Sequence, residues 1–278
     1  GLEVGGNAIH KIYVDNNDNV YFSSWGNGFT KLSDGTFETF DENNTSLVGI
    51  ATSPTFMVIQ DILIDANQNL WLLNSETFRP ISVITADSIF HFKPPFFNGT
   101  IEAENLVIDR NGTKWFTLSG EGLFFITKRS VFFNENGTLG DESDDIWGRF
   151  TEADGLNDNA ITALAIDNRD DIWIGTPLGV NFIFDPNNGD SRIQNLFSSI
   201  QQQSITCIAV DAINQKWFGT NQGVFLMSSD AVTLIDNFTV SNSPIPSNEI
   251  KSIAADGITG KIYIGTEAGL SSVINKLI

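Results

Sequence analysis

The chain has 278 residues, 41% of them hydrophobic and 11% aromatic, so it can bury a substantial core; 34 acidic against 15 basic side chains give a formal charge of −19. That balance excludes nucleic acid and anionic membrane as direct ligands, since both need compact basic surface. No apolar run approaches the roughly 18 residues of a membrane-spanning helix.

Read in chain order, the first stretch, GLEVGGNAI, has neither a basic n-region nor an apolar h-region and lacks methionine. The expectation is a processed or excised part of a longer protein. An aspartate then ends an apolar run six times, at Asp15, Asp65, Asp109, Asp167, Asp211 and Asp256. An aromatic follows six residues later at Tyr21, Trp71, Trp115, Trp173 and Trp217, and seven later at Tyr263. Successive aspartates lie 50, 44, 58, 44 and 45 residues apart. A period of this length marks a repeat architecture.

Each unit reads as strand, tight turn, strand, short loop, strand, with units beginning near residues 7, 57, 102, 159, 204 and 248. In the first, TFETF (36–40) supplies a fourth strand. In the fourth, ITALAI (161–166) is apolar on both faces, Asp167 opens a turn, IWIGT (172–176) is the second strand and VNFIF (180–184) the third, with RIQNLF (192–197) a candidate fourth. In the last, LSSVI (270–274) is the third strand and NKLI is too short for another. Four-stranded sheets repeated radially predict an all-β fold, a β-propeller formed as a single domain over residues 1–278. Six blade units are recognisable, and the intact ring is left open between these six and a seventh blade outside this sequence. Tyr21, Trp71, Trp115, Trp173, Trp217 and Tyr263 are assigned to structure, filling the gaps between blades, and Gly175 to close backbone approach.

The pattern in ITALAIDNRDDIWIGTPLGV (161–180), ITCIAVDAINQKWFGTNQGV (205–224) and IKSIAADGITGKIYIGTEAGL (250–270) resembles the two-component regulator propeller repeat of Bacteroidetes-type bacteria. The first two units depart from it: YFSSWGNGF (21–29) has serines for Gly-Thr, and WLLNSETFRP (71–80) lacks the second glycine. These departures are similar to PorZ-like propellers of type IX secretion. The resemblance implies an extracytoplasmic recognition or assembly module, at the cell surface or in the periplasm, that binds a surface glycan or protein partners. The alternative it implies is the periplasmic sensor propeller of a hybrid two-component regulator detecting polysaccharide fragments.

An enzyme is not expected. His10 and His91 lie outside metal-ligand spacing, no G-x-S-x-G occurs, and Cys207 sits in an apolar run as a small core residue. Neither a cofactor nor a metal is assigned. Ligand-binding candidates come from the loops joining second to third strands, which share one face of a propeller: Trp25, Asn27, Phe78, Arg79, Glu121, Asn221 and Gln222. Trp25, Phe78 and Arg79 break the repeat, and an aromatic beside amides suits stacking on a sugar ring, although Trp25 can equally cap its own blade. The longest unit carries its excess in residues 134–155, with seven acids and Arg149 as its one base. Asp141, Glu142, Asp144 and Asp145 carry enough oxygens for calcium, against the default of a solvated loop. Trp147 and Arg149 are assigned to partner binding, an interface-enriched pair that can equally anchor the loop.

Overall fold

The computed structural model describes residues 8–97, 99–120, 129–184, 193–194 and 199–274, and its regular structure is almost all β-strand. The contacts divide the chain into two compact units, Gly1–Arg149 and Phe150–Ile278.

In the first unit, β1 (Ile9–Val14), β2 (Val20–Gly26), β3 (Phe29–Ser33) and β4 (Thr36–Phe40) form an antiparallel meander, as do β5 (Met57–Ile64), β6 (Leu70–Asn74), β7 (Ile81–Ile84) and β8 (Ile89–Phe92). The end of β2 pairs with the start of β5, Trp25 opposite Val58, which joins the two meanders. A third sheet holds β9 (Ile101–Ile108), β10 (Lys114–Gly120), β11 (Arg129–Asn134) and β12 (Ile146–Phe150). In the second unit, β13 (Ala163–Ile166), β14 (Ile172–Thr176), β15 (Gly179–Ile183) and β16 (Ile193–Gln194) make one sheet. The next is β17 (Ile205–Val210), β18 (Lys216–Thr220), β19 (Gly223–Met227) and β20 (Leu234–Phe238). The last, β21 (Ile250–Ala255), β22 (Lys261–Thr266) and β23 (Gly269–Ile274), has three strands among the described residues. These are propeller-blade sheets. The expected strands 36–40 and 172–176 match β4 and β14, whereas β13 begins at Ala163 rather than 161. Of the candidate fourth strand 192–197, Ile193–Gln194 is strand and the rest lies outside the described residues.

The six-residue spacing has a hydrogen-bond cause. The backbone N–H groups of Asn67 and Asn69 donate to Asp65 Oδ1 at 2.8 and 2.9 Å, closing the turn. The indole N–H of Trp71 donates to the other oxygen, Oδ2, at 2.8 Å. Trp115 repeats this on Asp109 at 2.9 Å, Trp217 on Asp211 at 3.0 Å, and the Tyr21 hydroxyl meets Asp15 at 3.4 Å. The fourth turn residue takes left-handed φ at Asp18, Gln68, Gly112, Asp170 and Asn214. One carboxylate therefore fixes both the turn and the ring that leaves it, and the register cannot slip by one residue without losing both.

Two units modify the scheme. Lys216 Nζ donates to Asp167 Oδ2 at 2.7 Å, with both side chains wholly buried. The same ammonium lies 4.9 Å from the centre of the Trp173 ring, and Lys114 is placed likewise 3.8 Å over Trp71. A lysine just before one aromatic thus seals the preceding one. In the last sheet the turn is one residue longer: the N–H of Gly260, at φ 69°, donates to the Asp256 carbonyl. Asp256 Oδ1 takes the N–H groups of Ile258 and Thr259 instead. Tyr263 departs from its expected core role: it is 38% exposed, while Trp71, Trp173 and Trp217 are at most 1% exposed.

Gly175 and Gly219 let neighbouring sheets of the second unit approach. A Cβ on Gly175 would lie 2.7 Å from Ile205 Cγ2, and one on Gly219 would lie 2.7 Å from Ile250 Cγ2 and overlap Cys207 Sγ. Gly219→Val is expected to cost about 1–3 kcal/mol through overpacking, read as a lower urea midpoint with unchanged slope.

Candidate ligand pocket

The spacing of 50 between Asp15 and Asp65 leaves room for a connection between β4 and β5 that the repeat does not need. It folds back on itself. The N–H of Gly49 donates to the Pro54 carbonyl at 2.8 Å, Ile50 to Phe56 at 2.9 Å, and Ala51 to the Glu76 carbonyl at 3.0 Å. The amide of Asn74, at the end of β6, donates to the Val48 carbonyl and ties the connection to the sheet. Beyond β6, the Thr77 hydroxyl accepts the Arg79 N–H at 3.0 Å, a turn that turns Phe78 outward, 55% exposed.

Together these segments enclose a pocket of about 310 Å³, walled by Val48, Ile50, Ala51, Pro54 and Phe78, with Asn74, Thr77, Arg79 and His91 its polar lining. Apart from the Asn74 side-chain oxygen, the polar groups are engaged within the protein. His91 Nδ1 lies 2.9 Å from Ser82 Oγ and Nε2 lies 3.3 Å from Ser46 Oγ. Burial, and then the charge of Arg79, hold the His91 imidazole below the usual histidine range, so it is neutral at pH 7. Arg79 Nη1 donates to the His91 carbonyl at 2.6 Å and to Glu142 Oε1 at 2.9 Å. The pocket therefore offers shape and apolar wall more than free hydrogen-bonding capacity.

Of the candidate residues, the structure brings Phe78 and Arg79 together in this pocket. Trp25, 46% exposed, stands at the end of β2 outside its lining, and Asn27 is exposed beside it, its N–H donating to Ser24 Oγ at 3.1 Å. Phe56, from the pocket-forming connection, lies against Gly26, where a Cβ would meet its ring at 2.7 Å. Asn221 and Gln222 are exposed in the β18–β19 turn of the other compact unit, where Thr220 Oγ1 accepts the Gln222 N–H at 2.9 Å. Glu121 lies outside the described residues. Trp147 is half-buried and stacks on Phe133 of β11, centroids 4.3 Å apart, and Arg149 lies 5.4 Å over Phe96 of the β8–β9 connection. Of the acidic group, Glu142 pairs with Arg79, Asp144 accepts the Thr138 hydroxyl at 2.8 Å and Asp141 accepts the Ser143 N–H at 3.0 Å. Among the described residues no three His, Cys, Asp or Glu side chains converge as metal ligands.

Val48, Ile50 and Pro54 were not foreseen as site residues. The signal available in the sequence was the six-residue excess of the first spacing over 44, filled by the apolar pieces LVGI and PTF.

Residues 155–177 match the family described as Two component regulator propeller. No curated protein matches. Among solved structures, PorZ of Porphyromonas gingivalis, described as an essential bacterial surface component of the type-IX secretion system, is similar at 26% identity and TM-score 0.84 over 97% of this chain and 39% of its own. The extracellular domain of the putative hybrid two component system BT3049 from B. thetaiotaomicron is similar at 16% identity and TM-score 0.71, over 98% of this chain and 34% of its own. Virginiamycin B lyase from Staphylococcus aureus matches at 12% identity and TM-score 0.65 over 97% of this chain and 85% of its own, a likeness of fold. The chain spans less than half the length of the first two. It is a β-propeller, similar in structure to PorZ and carrying at 155–177 a repeat of the two-component regulator propeller kind.

Proposed function

We propose that the chain is a non-enzymatic, extracytoplasmic recognition and assembly module whose working surface is the pocket between the β4–β5 connection and Phe78–Arg79. The observation that carries this reading is the pocket itself. It is built from segments that depart from the repeat, and its exposed aromatic, Phe78, is not needed for packing. The likeness to PorZ at 26% identity supports a surface role connected with type IX secretion. A second reading, ligand sensing for a two-component regulator, is supported by the repeat at 155–177.

Phe78→Ala is expected to leave stability within about 0.5 kcal/mol, as an exposed substitution, while disabling the surface. Introduced into the producing cell, it should deplete secreted and surface-attached proteins, as quantified by mass spectrometry, with this protein's own level unchanged. An unaltered secreted complement with loss of transcriptional response to polysaccharide would support sensing instead. No change in either would refute the pocket as the working surface.

A further inference from the structure

Resting on that reading, we infer that the pocket docks a protein segment presenting one apolar anchor side chain flanked by lysine or arginine. Two independent features of the first unit specify these two halves.

The anchor follows from how the pocket spends its polar groups. Both ring nitrogens of His91 face serine hydroxyls, the Asn74 amide N–H is given to Val48, and Thr77 Oγ1 accepts the Arg79 N–H. The remaining Asn74 oxygen is buried without a partner in a residue 2% exposed. A sugar entering here would lose water from its hydroxyls against walls that return few hydrogen bonds, a net cost. An aromatic or branched aliphatic side chain has no such debt to water, and a volume of about 310 Å³ accommodates one with room to spare. The surroundings match: Trp25, Val48, Phe56 and Phe78 are between 37% and 55% exposed. Exposed aromatics around an apolar recess are the composition of a protein-binding patch.

The basic flank follows from charge. Glu142 reaches the pocket rim by its bond to Arg79, and Asp141, Asp144 and Asp145 are its near neighbours in sequence. Among the described residues lining the pocket, Arg79 is the one lysine or arginine, and it is already engaged with Glu142 and the His91 carbonyl. Burial, and the nearby charges of Glu142, Asp144 and Glu135, push the Asp145 carboxyl above the usual carboxylate range, against a hydrogen bond from Trp147 that lowers it. Between residues 141 and 145 four acids outnumber Arg79 and Arg149, the bases beside them. A partner cation offsets this excess, and the formal −19 of the whole chain steers basic segments toward it.

The test is selection of a random dodecapeptide phage library on the full chain, with counter-selection on Phe78→Ala after its fold is verified by thermal melting. The expected consensus is an aromatic or branched aliphatic residue flanked by Lys or Arg. One selected peptide, measured by fluorescence anisotropy, should bind Phe78→Ala about thirtyfold more weakly, the size of an interface hot spot. It should bind Asp141→Asn/Glu142→Gln more weakly with a flatter salt dependence. An acidic or hydroxyl-rich consensus, no enrichment over Phe78→Ala, or salt-independent binding would overturn the inference, as would binding of phosphatidylglycerol vesicles in place of peptide. These outcomes separate from the functional reading. A basic-apolar consensus with normal secretion and sensing in the Phe78→Ala cell would refute that reading and leave the docking chemistry standing; the reverse result would do the opposite.

Discussion

Trp217→Ala is expected to lower the unfolding free energy by about 3–5 kcal/mol, the cost of deleting a large aromatic from a packed core. The ring is 1% exposed, stacks on Phe238 with centroids 5.6 Å apart, and belongs to a cluster with Ile250, Ile262 and Ile264 of the adjoining sheet. Its loss opens a cavity between two sheets and removes the N–H that Asp211 Oδ2 accepts. Trp217→Phe separates the two effects: most of the ring remains and the hydrogen bond goes, so a loss of about 1–3 kcal/mol is expected. Urea unfolding followed by circular dichroism measures both. A midpoint for Trp217→Ala close to wild type would contradict the assignment of this side chain to the inter-sheet core.

Lys216→Met is expected to be comparably severe, about 3–5 kcal/mol, because it strands a buried carboxylate. Asp167 and Lys216 are both wholly buried, and Arg169, 3.4 Å from the same oxygen but half exposed, replaces only part of the lost charge. The double variant Lys216→Met/Asp167→Asn should recover part of the loss, since no unpaired charge is then buried. The pH dependence has a definite sign. Burial works to raise the Asp167 carboxyl, but the hydrogen bond and charge of Lys216, with the N–H groups of Arg169 and Asp171, outweigh it and hold the folded value below the ordinary one. A depressed carboxylate contributes stability that is present above its unfolded value, about 3.9, and is lost as pH falls through the folded value. The wild-type advantage over the double variant should therefore shrink as pH falls below about 4. An advantage that grew on acidification would contradict the pairing.

Much of the fold was legible because one physical rule recurs. The Asp-to-aromatic spacing marks where a carboxylate closes a turn and receives a ring N–H six residues on, as at Asp65, Asp109 and Asp211. The spacing alone gave the turn but not the bond to the ring. Nor did it reveal that Lys216 takes the place of that bond at Asp167, because the donor is 49 residues away in sequence. Tyr263 carries the repeat's pattern without its burial, since a side chain's neighbours are set by what packs on its sheet and not by its own unit. At the pocket, Phe78 and Arg79 were visible because they violate the repeat. Val48, Ile50 and Pro54 were not, because a connection that folds on itself leaves no period to read.

The most direct test of the account is site-specific photocrosslinking in the producing cell, with a benzophenone side chain at position 78 in one strain and at position 67, in the exposed β5–β6 turn, in the other. The account predicts a discrete crosslinked partner from position 78 and none from position 67. Crosslinking from position 67 with none from position 78 would contradict it and move the working surface away from the pocket.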